Sequence, residues 1–69
     1  MPTPAPTSTA GTLAQLQALG ARLRAQRHGL GVSSTAAAAA AGVSRVTLHR
    51  IEKGEPSVTM GAYLNVMEA

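Results

Sequence analysis

Several charged side chains that could do chemistry lie in one segment of this 69-residue chain. The segment lies between Gly42 and Gly54 and reads GVSRVTLHRIEKG, with two arginines, a histidine and a lysine following a serine. Guanidinium groups form paired hydrogen bonds with phosphate oxygens and with the O6 and N7 atoms of guanine. The segment therefore indicates a polyanionic partner, with nucleic acid as the first choice.

Residues suited to catalysis or metal binding are scarce. The chain has no cysteine, and its two histidines, His28 and His49, are far apart in sequence with no carboxylate cluster beside either. Glu52 has no partner acid or nucleophile motif around it, and no glycine-rich phosphate loop occurs. We expect no enzyme activity, no catalytic residue, no bound metal and no cofactor.

The overall composition indicates the same kind of partner. Six Lys and Arg against three acidic residues give a net charge of +3, and five of the six cations are arginines. This balance favours nucleic acid before an anionic membrane. No apolar run approaches the ~20 residues that cross a bilayer, and the N-terminus lacks the basic and apolar regions of a secretory signal. We expect a cytoplasmic protein with no membrane partner.

The elements that must position these residues are four predicted helices and no strands. Residues 1–11 hold three prolines among Thr, Ser and Ala, which predicts a disordered tail before a domain over residues 12–69. Leucines at three- and four-residue steps then predict a first helix over 13–27, with Thr12 as a candidate N-cap.

Three shorter helices follow, each behind a Ser or Thr that can act as its N-cap. One of them is a run of alanine, the best helix former, and Gly follows it as expected at a helix end. The three are predicted over 34–41, 45–53 and 60–68, behind Ser33, Ser44 and Thr59.

Apolar spacing within these helices predicts which faces are buried. In the third helix, Leu48 and Ile51 are three positions apart and are expected to face the core. In the last helix, methionines are expected to fill gaps in the core. Its predicted core stripe consists of Met60, Tyr63, Leu64 and Met67.

The two short helices on either side of Gly42 form a helix-turn-helix unit, whose second helix can lie in the ~12 Å-wide major groove. The motif GVSRVTLHRIEKG, together with LGARLRAQRHGLGVS before it, resembles the lambda-repressor-like (Cro/XRE) DNA-binding family over residues 12–69. The resemblance implies a small all-α, four-helix lambda-repressor-like domain. It also implies a repressor-like transcriptional regulator that binds specific sequences of double-stranded DNA in the major groove.

The resemblance also implies roles for individual residues. Arg27 and Glu52 correspond to a structural ion pair of the family. Contacts with base edges are expected from Arg45, Val46 and Arg50, flanked by Thr47 and His49. Contacts with DNA phosphates are expected from Ser34, Ser44, Arg22, Arg24 and Lys53.

This chain departs from the family pattern at three places. Ser34 stands where Gln is usual, which shortens or removes one phosphate contact. Ala37 stands where a core Leu is usual, and such a truncation costs about 2–5 kcal/mol when the site cannot collapse. The family usually continues past the position of Ala69 with a fifth helix that helps dimerisation, so a homodimer stays an open expectation.

Alternative functions from other classes fit part of the pattern. The chain could be the DNA-binding antitoxin of a toxin–antitoxin pair, which also binds a protein toxin. It could also be a helix-turn-helix module that binds proteins and not DNA. A basic amphipathic helix on a membrane is the weakest alternative, because most of the chain has the spacing of a packed core.

Overall fold

The computed structural model describes residues 9–69, and this range contains four α-helices and no strand. The helices are α1 (Ala10–Gly29), α2 (Ser34–Ala41), α3 (Arg45–Glu52) and α4 (Met60–Glu68). The all-α four-helix fold is therefore confirmed. The helices α2 and α4 have the predicted bounds, and α3 ends one residue early because Lys53 is its C-cap.

The first helix begins earlier and ends later than predicted. Its N-cap is Thr9, whose side chain accepts a 3.1 Å hydrogen bond from the backbone N–H of Thr12. Thr12 is therefore not the cap, and Ala10 and Gly11, which we expected in the tail, belong to the first turn. The remainder of the predicted tail, residues 1–8, lies outside the described residues.

Ser33, Ser44 and Thr59 cap the other three helices as predicted. Each side chain accepts a hydrogen bond of 3.0–3.2 Å from the N–H group three residues later. Such a cap contributes about 1 kcal/mol. The contribution matters here because helices of eight or nine residues are marginal when isolated.

Two glycines allow α1 and α3 to approach each other at backbone distance. A Cβ at Gly20, in the middle of α1, would lie 2.5 Å from the carbonyl oxygen of Ile51. Gly54 follows α3 with φ +76°, and a Cβ there would meet the backbone of Gln17 in α1. One glycine of the crossing thus lies within α1 and the other directly after α3, and together they fix the position of the end of α3.

The core is small and aliphatic. Leu48 and Ile51 of α3 are 1% and 0% exposed, which confirms their predicted burial. α2 contributes Ala38 and Ala41, whose small side chains let this helix pack closely. Tyr63 of α4 is also buried, and the leucines of α1 cover the core from one side as half-buried residues.

The fourth helix buries a different face from the predicted one. Met60, Leu64 and Met67 are 76%, 50% and 50% exposed, so the two methionines do not fill gaps in the core. The face turned inward carries Tyr63, with Ala62 and Val66 half-buried. Two apolar stripes share Tyr63 in this nine-residue helix, and the stripe that packs is the one with Ala62 and Val66.

The position of Ala37 leaves the core incompletely filled. Its half-buried side chain faces an apolar cleft of about 350 Å³ between α1, α2 and α4. The apolar side chains around this cleft include Leu23, Val32, Leu48, Val66 and Met67. A larger side chain at position 37 therefore has space to occupy.

Gly20→Ala tests the backbone approach of α1 and α3. We expect a loss of about 2–4 kcal/mol in the free energy of unfolding, because the new methyl group would collide with the backbone of α3. Gly29→Ala is the matched control, since a Cβ there meets nothing within 4 Å and α1 contains both positions. Urea denaturation followed by circular dichroism would measure both. Equal stability of the two variants would contradict the close approach.

Ala37→Leu tests the incompletely filled cleft. We expect unfolding free energy to rise by roughly 0.5–2 kcal/mol, because the added methylenes leave water and fill existing space. Ala39→Leu, at an exposed position of the same helix, should stay within about 0.5 kcal/mol of the parent. Thermal denaturation of both variants would decide, and a destabilised Ala37→Leu would show that the cleft cannot accept the side chain.

Candidate nucleic-acid interface

The exposed face of α3 is a continuous arc of basic and apolar side chains. At about 100° per residue, the five residues on it span about 140° of the helix circumference. We call this set the α3 arc. All of its members are exposed, and they are Arg45, His49, Lys53, Val46 and Arg50, in order around the helix.

The rest of α3 is used for packing and capping. Leu48 and Ile51 are buried, and Glu52 lies beside them as a nearly buried carboxylate. Thr47 is half-buried at the edge of the arc. Its hydroxyl shares a 3.0 Å hydrogen bond with the hydroxyl of Ser44, which also caps the helix. The α3 arc is therefore the part of this helix left for an outside partner.

A bidentate ion pair holds the end of α3 against α1. Arg27 donates from Nε to Oε2 of Glu52 at 2.8 Å and from Nη2 to Oε1 at 3.0 Å. Its Nη1 donates to the carbonyl oxygen of Val32 in the α1–α2 loop at 3.0 Å. The two side chains are only 15% and 7% exposed. One guanidinium therefore connects α1, the following loop and α3.

The electrostatic state of this pair follows from its hydrogen bonds. Hydrogen bonding to Glu52 raises the pKa of Arg27, and this effect outweighs the desolvation that acts in the opposite direction. Arg27 is therefore charged at neutral pH. It also has its donors directed to partners inside the domain, which suits a structural role.

A basic cleft of about 440 Å³ lies beside the α3 arc. It is bordered by Arg45, His49 and Lys53 of the third helix segment, by Arg24 of α1 and by Ser34, the first residue of α2. Glu52 and Arg27 close its floor as a neutralised pair. Three exposed cations therefore surround a concave surface, and this arrangement attracts anions.

Arg50 lies at the other edge of the arc, away from the cleft. Its Nε is 3.7 Å from Oε2 of Glu55, and both side chains are about half exposed. Glu55 was not among the residues predicted to act at this surface. A signal was present in the sequence, because a helix that ends at a glycine such as Gly54 turns back on itself and places the next residue near its last turn.

The structure brings together most, but not all, of the predicted contact residues. Ser34, Arg24 and Lys53 border the same cleft as Arg45 and His49. Ser44 precedes the arc at the N-terminus of α3. Arg22 is separated from them, because it lies about 200° around α1 from Gly20, the residue that touches α3.

Features of other kinds of site are not found in the described part of the chain. Between Thr9 and Ala69, no group of three or more His, Asp or Glu side chains is arranged to hold a metal ion. None of the four helices has both the length and the apolar character that crossing a bilayer requires.

A comparison with known families agrees with this geometry. Residues 18–69 match the family described as helix-turn-helix domain. The match covers α2, α3, α4 and most of α1, and it is consistent with the lambda-repressor-like resemblance of the sequence. No curated protein and no solved structure shows significant similarity to the chain.

Arg27→Met tests the structural role of the ion pair. The change leaves a nearly buried carboxylate and the carbonyl of Val32 without their donor, so we expect a loss of about 2–3 kcal/mol in unfolding free energy. Arg22→Met removes the same charge at an exposed position of α1 and should cost less than about 0.5 kcal/mol. Chemical denaturation measures the unfolding free energy of both variants. Equal losses would show that the ion pair of Arg27 does not stabilise the fold.

Proposed function

The chain belongs to the helix-turn-helix domain family, and from this premise we propose that it binds specific sequences of double-stranded DNA and acts as a repressor-like transcriptional regulator. A helix-turn-helix domain indicates DNA binding in general. The finer proposal is that α3 is the recognition helix and enters the major groove with its arc facing the base edges.

The single observation that carries this proposal is the α3 arc. A helix with its side chains has a diameter of about 10–12 Å, which matches the ~12 Å width of the major groove. A helix in that groove must present polar groups toward the bases and still be held firmly by its protein. The arc presents two arginines, and the opposite side of α3 is fixed by Leu48, Ile51 and the ion pair of Glu52.

Base contacts are assigned to the arc according to the chemistry of each residue. Arg45 and Arg50 can each pair with O6 and N7 of guanine, a contact worth about 1–3 kcal/mol of discrimination. Val46 is 60% exposed and can pack on the methyl group of thymine. His49 lies between them as a polar contact. Thr47 is a weaker candidate, since its hydroxyl already pairs with that of Ser44.

Phosphate contacts are assigned to the residues around the cleft and the helix N-termini. Arg24 and Lys53 supply charge at the cleft, and Ser34 supplies a hydroxyl there. The N-terminal N–H groups of α3 favour an anion in addition. Ser44 donates its hydroxyl proton to the hydroxyl of Thr47, which leaves the Thr47 proton for an outside acceptor. Arg22 lies on the other side of α1 and is better used as a control than as a contact.

The other partners raised by the sequence stay predictions. They are a homodimer, a protein toxin in an antitoxin role, and a protein ligand of a module that does not bind DNA. The arc favours DNA over these, because it carries three cations and one large apolar side chain, a composition suited to a polyanion.

Selection from a library of randomised duplexes, with the full chain as bait, tests the proposal. We expect one sequence to be enriched and to bind more tightly than a shuffled duplex in fluorescence anisotropy. Affinity should fall with salt, with a log–log slope of about −0.9 per phosphate neutralised. The anisotropy is measured at two salt concentrations. Equal affinity for the selected and shuffled duplexes at both of them would overturn the regulator proposal.

Arg50→Ala in the same assay separates base reading from phosphate contact. We expect discrimination to fall by roughly tenfold or more, the loss of one bidentate base contact, with a smaller effect on the shuffled duplex. Arg22→Ala is the matched control, because it removes an arginine from the opposite face of α1. Equal losses of affinity for both duplexes in Arg50→Ala would make Arg50 a phosphate contact.

A further inference from the structure

The segment that follows α3 places a carboxylate beside one residue of the α3 arc. Oε2 of Glu55 lies 3.7 Å from Nε of Arg50, at the edge of the arc away from the basic cleft. The side chains are 43% and 55% exposed, respectively. An acidic group at this place is unexpected on a surface that binds a polyanion, because it repels phosphates.

The pair of Arg50 and Glu55 contributes little to the stability of the fold. Its separation is too long for a hydrogen bond, and exposed ion pairs of this kind contribute little to folding. The bidentate pair of Arg27 and Glu52, by contrast, has contacts of 2.8 and 3.0 Å and is nearly buried. The surface pair is therefore more naturally explained by what it does to Arg50 than by what it does for the fold.

The backbone of Glu55 is fixed from two sides, so its side chain starts from a defined position beside Arg50. Its N–H donates to the carbonyl of Arg50 at 3.0 Å, in the bonding pattern that closes α3 at Gly54. Its carbonyl accepts a 2.8 Å hydrogen bond from the hydroxyl of Tyr63 in α4. Tyr63 is buried, so the bond connects the core directly to Glu55.

The state of Tyr63 agrees with this arrangement. Burial raises its pKa, and the negative charge of Glu55 raises it further. The phenol therefore keeps its proton through neutral pH and remains a donor to the carbonyl of Glu55. The α4 helix thus contributes to the surface at α3, although none of its side chains belongs to the arc.

We propose that Glu55 is a positioning residue that restrains the guanidinium of Arg50 and thereby raises discrimination between DNA sequences. This inference rests on the proposed function. When Arg50 faces a guanine, it forms its contact with the base while Glu55 holds the Nε side. When the base is wrong, Arg50 would turn toward a phosphate, and the carboxylate opposes that alternative. Glu55 therefore weakens binding to unrelated sequences more than binding to the correct one.

Glu55→Gln tests the proposal, with the full chain and with the selected and shuffled duplexes in fluorescence anisotropy. We expect affinity for the shuffled duplex to rise roughly two- to fivefold more than affinity for the selected duplex, the range of an exposed ion pair. Glu68→Gln removes an equal charge at an exposed position at the end of α4 and should change both affinities by the same factor. Glu55→Asp retains the charge and should keep part of the discrimination.

A double-mutant cycle with Arg50→Ala separates positioning from general charge. In the Arg50→Ala background, Glu55→Gln should leave the ratio of the two affinities unchanged. A reduced ratio in this background as well, or an unchanged ratio in the parent background, would overturn the role of Glu55. Circular dichroism should show the same melting temperature for Glu55→Gln and Glu68→Gln.

The same assay keeps the two proposals apart. If no duplex is enriched in the selection, the proposed function fails and this inference fails with it. If a duplex is enriched and Glu55→Gln leaves discrimination unchanged, only the role of Glu55 is overturned.

Discussion

The guanidinium of Arg27 is the constraint on which the rest of the structure depends. It joins its own helix to the loop before α2, through Val32, and to the end of α3, through Glu52. In a domain of this size the aliphatic core supplies only about 3–5 kcal/mol of net stability. An interaction that fixes both ends of the helix-turn-helix unit therefore decides how precisely α3 is presented.

The C-terminal end of α3 is held both by close backbone packing and by an ion pair. Gly20 and Gly54 bring α1 and α3 together, and the ion pair of Glu52 lies next to this crossing. The opposite end of α3 is set by the cap at Ser44 and by the short turn after α2. Because α3 is held at both ends and along its buried side, its exposed side chains are not needed to hold the helix in place.

The sequence predicted the parts of this fold that local chemistry determines. Ser33 and Ser44 could be predicted as N-caps because a helical run that ends at a glycine follows each of them. The predicted start of α1 was wrong because Thr9 and Thr12 both precede the leucine stripe. The sequence alone does not show which of the two is the N-cap. The buried face of α4 was wrong because two apolar stripes share Tyr63. The crossing at Gly20 depends on a tertiary contact, which no periodicity contains. The approach of Glu55 to Arg50 follows from the turn at Gly54 and was overlooked.

The exposed arc and the buried side of α3 lie on different faces of the helix, and this separation has an evolutionary consequence. Substitutions within the α3 arc change the groups exposed to an outside partner and leave Leu48, Ile51 and Glu52 untouched. Under the proposed function, the DNA sequence preferred by descendants of this chain can therefore change without an accompanying loss of stability. Glu55 is the exception, since its backbone is bonded to Tyr63 of the core and its carboxylate lies beside Arg50 of the α3 arc. A lineage that changes residue 50 should change residue 55 in concert.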